Sequence, residues 1–403
     1  MPERSVFKRI QPAAPTLEQL QVRAVAIAGE FARTGASRDR AGGVPRDEID
    51  LLRQAGLLTA LHPQEIGGAG IGWAEALRLV RIISRGDSNL GQLLGYHYVN
   101  AFVPYIVAAP ETADRLGRAT VESGAYWGAV VNPRDTGLAL TRVAEGYRLN
   151  GRKTFSTAAR ISNLVNVVAS LEGLTASLVL PTDRAGYFPA DDWDNIGQRL
   201  SDSGSVEFRD YSVTDADFLV PLSAPDAAPE PLSTFNTPLI QLVFANFYLG
   251  TAEGALAEAL AYVRDTTRPW ETAGVARAAD DPYILERFGE LSASLKASLA
   301  LADNAALAVE HELSKGAAVT AEERGAAAIE VYHAKVHCTH LALEVTSRIF
   351  ELMGARATAG RYGFDRFWRN VRTHTLHDPV CYKAREVGDF LLNGTIPTVS
   401  LYS

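Results

Sequence analysis

The sequence predicts an α+β chain in three parts: an N-terminal helical domain, a middle antiparallel β-barrel and a C-terminal helical bundle. Three observations carry this. Up to about residue 108, apolar residues recur at helical spacing behind recognisable caps. Between Ala125 and Val220 the period shortens to that of strands, in brief runs separated by turn residues. A proline-rich linker from Pro221 to Pro231 follows, and beyond it long alanine-rich runs return to i, i+3, i+4 spacing. The expected domains are 1–122, 123–222 and 235–403.

Element by element, Thr16-Leu-Glu-Gln is a Thr-x-x-Gln capping box that opens an amphipathic helix to about Thr34. Pro45 stands near the start of a second helix, which Gly56 stops. The run Gly67-Gly-Ala-Gly-Ile-Gly reads as a connecting turn. No apolar strand leads into it and no Lys-Ser/Thr follows, as a phosphate cradle would require. Helices are predicted from about Trp73 to Arg85 and over 93–108. Short strand-like runs begin at Tyr126, Leu138, Tyr147, Val165, Ala176 and Val206, and Asn150-Gly151 reads as a hairpin turn. Strands this close, with no helices between them, favour an antiparallel sheet or barrel. Helices over 239–265, 282–314 and 321–353, and a last one leading into the C-terminal motif, complete the chain.

Composition narrows the function. Of 403 residues, 47% are hydrophobic and 21% charged, with no run of about 18 apolar residues to span a membrane. The stretch Met1-Pro-Glu-Arg-Ser-Val-Phe-Lys-Arg9 has no apolar core of signal-peptide length behind it. Cys338 and Cys381 cannot build a disulfide framework, so a cytoplasmic setting is expected. A net charge of -8 with no basic stripe argues against nucleic acid as a partner.

The densest chemistry lies in Trp368-Arg-Asn-Val-Arg-Thr-His-Thr-Leu-His-Asp-Pro-Val-Cys-Tyr382. It gathers Arg369, Arg372, His374, His377 and Asp378 into ten residues, a set suited to anions or protons. Pro379 predicts a helix end near His377, and helical spacing puts Asn370, His374 and His377 on one face. His333, His337 and His340 also share a helix face. With no carboxylate partner and no second element they read as a polar bundle face, and no metal centre is predicted.

Several motifs, in order, resemble the acyl-CoA dehydrogenase superfamily across nearly the whole chain. They are Leu52-Arg-Gln-Ala-Gly followed by Pro63-Gln-Glu-Ile-Gly-Gly-Ala-Gly, then Gly146-Tyr-Arg-Leu-Asn-Gly-Arg-Lys, then Val206-Glu-Phe-Arg-Asp-Tyr-Ser-Val. The departures are informative. Gln64 replaces a usual glutamate, Arg369-Asn370 stands for an Arg-Asp pair, and the Gly-Ser-Asp signature gives way to Val131-Asn-Pro-Arg-Asp-Thr-Gly. The catalytic glutamate's slot falls on Asp378, followed by Pro379-Val380. A base one methylene short, displaced by about 1 Å, loses on the order of a hundredfold, so α-proton abstraction from an acyl-CoA is not expected.

Thr373-His-Thr-Leu-His-Asp-Pro and Gly95-Tyr-His-Tyr-Val-Asn resemble instead the flavin-dependent monooxygenase branch of this fold. That branch takes reduced FMN, rather than FAD, from a separate flavin reductase. Through a C4a-hydroperoxide it oxygenates sulfur in small hydrophobic heteroaromatic sulfides of the dibenzothiophene or benzothiophene type. The resemblance implies a homotetramer. It implies catalytic roles for His377, His97, Asn132 and Thr157, and flavin contacts from Thr157, Ser156, Asn132 and Arg369. Arg264 or Arg268 is implied to reach the flavin phosphate of a neighbouring subunit. Rival readings are an N-hydroxylating monooxygenase, an acyl-CoA dehydrogenase or flavin oxidase using Asp378 as base, and a flavin-free binding protein on the same fold.

Overall fold

In the computed structural model, residues 14–224 and 227–400 are described. The Met1–Arg9 stretch, and Pro225 and Asp226 of the linker, lie outside the described residues. The first helix, α1 (Leu17–Ala41), starts on the expected capping box. Gln19 N donates to Thr16 Oγ1 at 3.3 Å, and the Gln19 side chain accepts from Thr16 N at 3.0 Å. The helix runs past residue 34 because its later turns bury Phe31, Gly35 and Asp39. Then come α2 (Arg46–Gln54), α3 (Trp73–Gly86), α4 (Ser88–Val107) and α5 (Pro110–Ser123). Asp87 caps α4 by accepting from Asn89 N at 2.9 Å. Sequence reading passed over α5, whose proline at its start and buried Ala113, Leu116 and Thr120 give it one apolar stripe.

Seven strands form one curled sheet: β1 (Trp127–Val130), β2 (Ala139–Val143), β3 (Gly146–Lys153), β4 (Leu164–Leu171), β5 (Leu174–Pro181), β6 (Tyr187–Pro189) and β7 (Val206–Val213). Their order is β1-β4-β2-β3-β7-β6, with β5 on β4. The pairing is antiparallel except where β4 meets β1 and β2, which it joins in parallel. The chain leaves β1, makes the β2–β3 hairpin and returns to lie beside β1 in the same direction. Leu149, Val165, Val167, Leu178, Leu180 and Phe208 fill the inner face.

Asn150-Gly151 is not the hairpin turn. It lies inside β3, where the register to β7 slips between Leu149 and Gly151. Gly151 has φ +127°, and a Cβ there would collide with the Gly137 carbonyl. Asn150 Oδ1 accepts from Asp210 N at 2.8 Å, holding the opposite strand where Asp210 has φ +48°. The dipeptide makes a β-bulge, which uses the same left-handed freedom as a turn.

The C-terminal helices are α6 (Asn236–Asp265), α7 (Pro282–Leu313), α8 (Ala321–Met353), α9 (Asp365–His374) and α10 (Val380–Asn393). The most apolar window of the described chain lies within Pro231–Asp265, and 83% of it is buried in the fold. It is the bundle's central helix: α3, α4, α7 and α8 all pack on α6. Helices from both ends of the chain therefore share one core, while the sheet keeps its own. The last helical run stops at His374, three residues before the expected end. Thr375 N closes on Val371 O at 2.9 Å, His377 N makes one further turn to His374 O at 2.9 Å, and Pro379 starts α10.

Candidate active site

Loops from the sheet and helices from both ends enclose a cavity of about 320 Å³, within the usual size range of ligand pockets. Tyr96, Val99 and Asn100 of α4 line one side, with Ile240 and Asn236 of α6. Asn132 and Arg134 follow β1, Phe155 and Thr157 follow β3, and Leu376 and His377 lie between α9 and α10. His377, Asn132 and Thr157, named from the sequence, are thus brought to one cavity.

On the sheet side, the polar atoms are largely spent on neighbours. Asn132 Nδ2 donates to Asp135 Oδ2 at 2.9 Å and Thr154 Oγ1 at 3.1 Å, and its Oδ1 accepts from Arg134 N at 3.1 Å. Thr157 Oγ1 lies 2.9 Å from Ser203 Oγ. Between Phe155 and Thr157, the Ser156 hydroxyl is buried with no hydrogen-bond partner among the described residues. Phe155 and Ala158 flank that serine with φ of +54° and +63°, an unusual conformation for non-glycine residues.

The helical side is charged within. His377 is 43% exposed by side chain, its Nδ1 is 3.4 Å from Asp378 Oδ1, and its Nε2 makes no hydrogen bond among the described residues. Its ring stacks on His374, centroids 5.6 Å apart and 10° from parallel. Asp378 is buried, held by Lys335 Nζ at 3.2 Å and Gln241 Nε2 at 3.1 Å. Burial pushes the Asp378 carboxyl up, but the His377 hydrogen bond and the Lys335 charge outweigh it and hold the group well below the usual carboxylate range. A carboxylate so stabilised is a poor general base, which counts against the dehydrogenase reading. Burial pulls the Lys335 ammonium down to about 8, with Asp378 opposing. His374 bridges two tyrosines, Tyr96 Oη at 3.0 Å and Tyr248 Oη at 2.7 Å. Burial, then His377 and Lys335, depress the His374 ring well below its ordinary value, and burial raises both phenols. The imidazole is therefore neutral, and one tyrosine donates to it while the other accepts.

Three expectations, for His97, Arg369 and Asn370, fall elsewhere. His97 is fully buried, and both its nitrogens serve the backbone: Nε2 donates to Leu58 O at 2.6 Å and Nδ1 accepts from Trp127 N at 3.0 Å. It clamps α4 to the start of β1 and offers the cavity nothing. Its neighbour Tyr96 faces inward instead, because successive helical residues point about 100° apart. Arg369 is occupied by Asp39, Asp365 and the Ile196 carbonyl at 2.7 Å, tying α9 to α1 away from the cavity. Arg264 and Arg268 are exposed at the far end of α6 and in the loop beyond it. Asn370, expected to share a face with His377, turns its Oδ1 to Gln198 N at 2.7 Å.

Sequence reading missed Tyr96, Tyr248, Gln241 and Lys335. The spacing of Tyr96, Val99 and Asn100 (i, i+3, i+4) is a signal that finds the cavity face of α4. Lys335 shares a stripe with Val331, Cys338, Ala342 and Val345, so a lone lysine on an apolar face was its mark. His333, His337 and His340 lie half-buried to exposed on the other side of α8, and among the described residues no metal-holding group forms.

These residues fit a flavin. Thr157 and Phe155 edge the space, the Ser156 hydroxyl lies buried just behind them without a partner among the described residues, and an unspent imidazole nitrogen faces across it. Comparison with known proteins agrees. Family models of the acyl-CoA dehydrogenase N-terminal and C-terminal domains match residues 16–112 and 242–380. The dibenzothiophene monooxygenase of Mycolicibacterium goodii is 40% identical over 93% of this chain and 94% of its own length. The crystal structure of TdsC from Paenibacillus sp. A11-2 with FMN and indole superposes with a TM-score of 0.91 at 39% identity, covering 96% of this chain and 100% of that one. Methanesulfinate monooxygenase MsuC of Pseudomonas fluorescens gives a TM-score of 0.91 at 36% identity, over 95% and 99% of the two chains. With that identity running nearly end to end, the chain belongs to the dibenzothiophene monooxygenase family, the flavin-dependent monooxygenase branch of the acyl-CoA dehydrogenase fold.

Proposed function

We propose that this enzyme is the oxygenase component of a two-component system that accepts reduced FMN from a separate reductase and oxygenates sulfur in a small aromatic sulfide of the dibenzothiophene or benzothiophene class. One observation carries the reading most: an apolar cavity bounded by Tyr96, Val99, Ile240 and Leu376 that holds, at one point of its wall, the free Nε2 of His377. Reduced FMN, once bound, supplies the electrons that activate oxygen. The protein's part is to orient and to exclude water. His377 Nε2 holds or passes the proton at the reacting centre. Ser156 and Thr157 address the flavin from the sheet side, and Asn132 keeps the loop beside them in place. The indole bound by TdsC supports a flat aromatic occupant.

The same reading entails a homotetramer in the cytoplasm, with Arg264 or Arg268 of one subunit directed to the flavin phosphate of another. Their exposure at the end of α6 is consistent with that reach. The test is stopped-flow absorbance of the protein mixed with reduced FMN and then oxygen. A transient species that decays faster when dibenzothiophene is added supports sulfur oxygenation. Immediate return of oxidised flavin, indifferent to dibenzothiophene, overturns it. Methanesulfinate run in parallel separates the aromatic class from the one named for MsuC.

A further inference from the structure

Behind His377 the cavity wall continues inward as a row of charges. A single oxygen, Asp378 Oδ1, faces both His377 Nδ1 at 3.4 Å and Lys335 Nζ at 3.2 Å. The other, Oδ2, is pinned by Gln241 at 3.1 Å, so the carboxylate cannot swing. Lys335 has a side-chain exposure of 1%, and its ammonium lies 4.3 Å from the centre of the Phe244 ring and 5.4 Å from that of Tyr248. Its ion pair is with Asp378 alone among the described residues. A buried cation is expensive to keep.

The electrostatics give it a purpose. A carboxylate next to an imidazole favours the doubly protonated ring. A cation on the far side of that same oxygen opposes this. The other groups near the pair are neutral, paired or of the same sign as Lys335. His374 on α9 is neutral between Tyr96 of α4 and Tyr248 of α6, and both phenols keep their protons. Burial pushes the Cys338 thiol on α8 up to about 12. Lys383 of α10 has its own partner, Glu386, at 2.8 Å. Arg372 on α9 places a positive charge near Tyr248, of the same sign as Lys335.

We propose that Lys335 is a positioning residue of the active site: acting through Asp378, it opposes the carboxylate's pull toward a doubly protonated His377 and leaves the ring with Nδ1 turned inward to Asp378 and Nε2 turned to the cavity. His377 then meets its substrate with Nε2 in a fixed direction. Lys335 itself touches neither substrate nor cofactor. The inference rests on the proposed role of His377.

The experiment is a pH titration of the histidine side chains by ¹⁵N NMR in the full-length, flavin-free protein, with the His377 signals identified by their loss in His377→Gln. Removing the charge in Lys335→Met is expected to move the His377 protonation midpoint upward by about one pH unit, the size of a single near-charge effect. Asp378→Asn is expected to move it downward and to scramble the tautomer. Lys335→Arg is expected to restore the original midpoint. If Lys335→Met does not fold, Lys335→Gln keeps a donor to Asp378 without the charge and must show the same upward shift. A His377 titration in the uncharged variant that superimposes on that of the unsubstituted chain overturns the inference, because a purely structural lysine would change melting and leave the imidazole alone. This outcome is distinct from failure of the wider reading, which would show as full oxygenation by His377→Ala whatever the titrations do.

Discussion

Asn132 and Thr157, on the sheet side of the cavity, arrive on loops and spend their polar atoms on neighbours in the same lobe. His377, on the helical side, sits between two helices with one ring nitrogen unspent and a buried ion pair behind the other. The first wall is fixed by hydrogen bonds already made; the second is poised by charge. On the proposed reading, shape and orientation belong to the sheet, and proton handling to the helices.

Substitutions on the two walls break or sharpen this division. The largest effect is expected from His377→Ala. Loss of a positioned acid–base group costs on the order of 10²–10⁴-fold in rate, here in single-turnover oxygenation at saturating reduced FMN, with FMN affinity retained. A full rate would put the proton work elsewhere.

His97 lies behind both walls, and the comparison predicts stability without rate. His97→Leu leaves the Leu58 carbonyl and the Trp127 N–H unpaired, each costing about 1–3 kcal/mol, so the melting temperature should fall while the rate per folded enzyme holds. Acid sharpens this. Burial pulls His97 down to about 3, despite its bond to Leu58, and His62 down to about 4. Both are depressed below the ordinary value near 6.5. Their contribution is complete above that value and is lost as pH falls through the window toward 3–4. Melting temperature should decline with acid below about pH 6.5, and less steeply in His97→Leu. A reduced rate with unchanged melting would return His97 to the site.

The smallest effect is expected from Thr157→Val, which keeps the shape and removes one hydroxyl. A neutral hydrogen bond is worth about 0.5–1.5 kcal/mol, so FMN affinity should fall by no more than about tenfold and the saturated rate should stay within a few-fold. A hundredfold loss of rate would show that the sheet wall takes part in chemistry.

What was legible in the sequence follows the range of the signal. Thr16 and Gln19 cap α1 through contacts three residues apart, so the helix start could be read directly. Asn150-Gly151 announced left-handed backbone, but whether that becomes a turn or a bulge is decided by Asp210 on a strand 60 residues away. The Tyr96-His97 pair shows the same limit: a motif locates both residues, and only the packing of α4 decides which faces the cavity. Lys335 lies 43 residues before its partner Asp378, beside three histidines that drew attention to the wrong face of α8.

The rim of the cavity has a consequence of its own. Phe155 is 68% exposed in a backbone conformation aromatic residues seldom adopt, Leu376 is 69% exposed and Val131 39%. All three edge the same opening. A flat ligand that covers them takes apolar surface out of water, and the heat capacity of the complex drops below that of its parts by roughly 0.45 cal/mol/K per Å² covered. Calorimetry would register the arrival of the ligand as a binding enthalpy that grows steadily more exothermic with temperature.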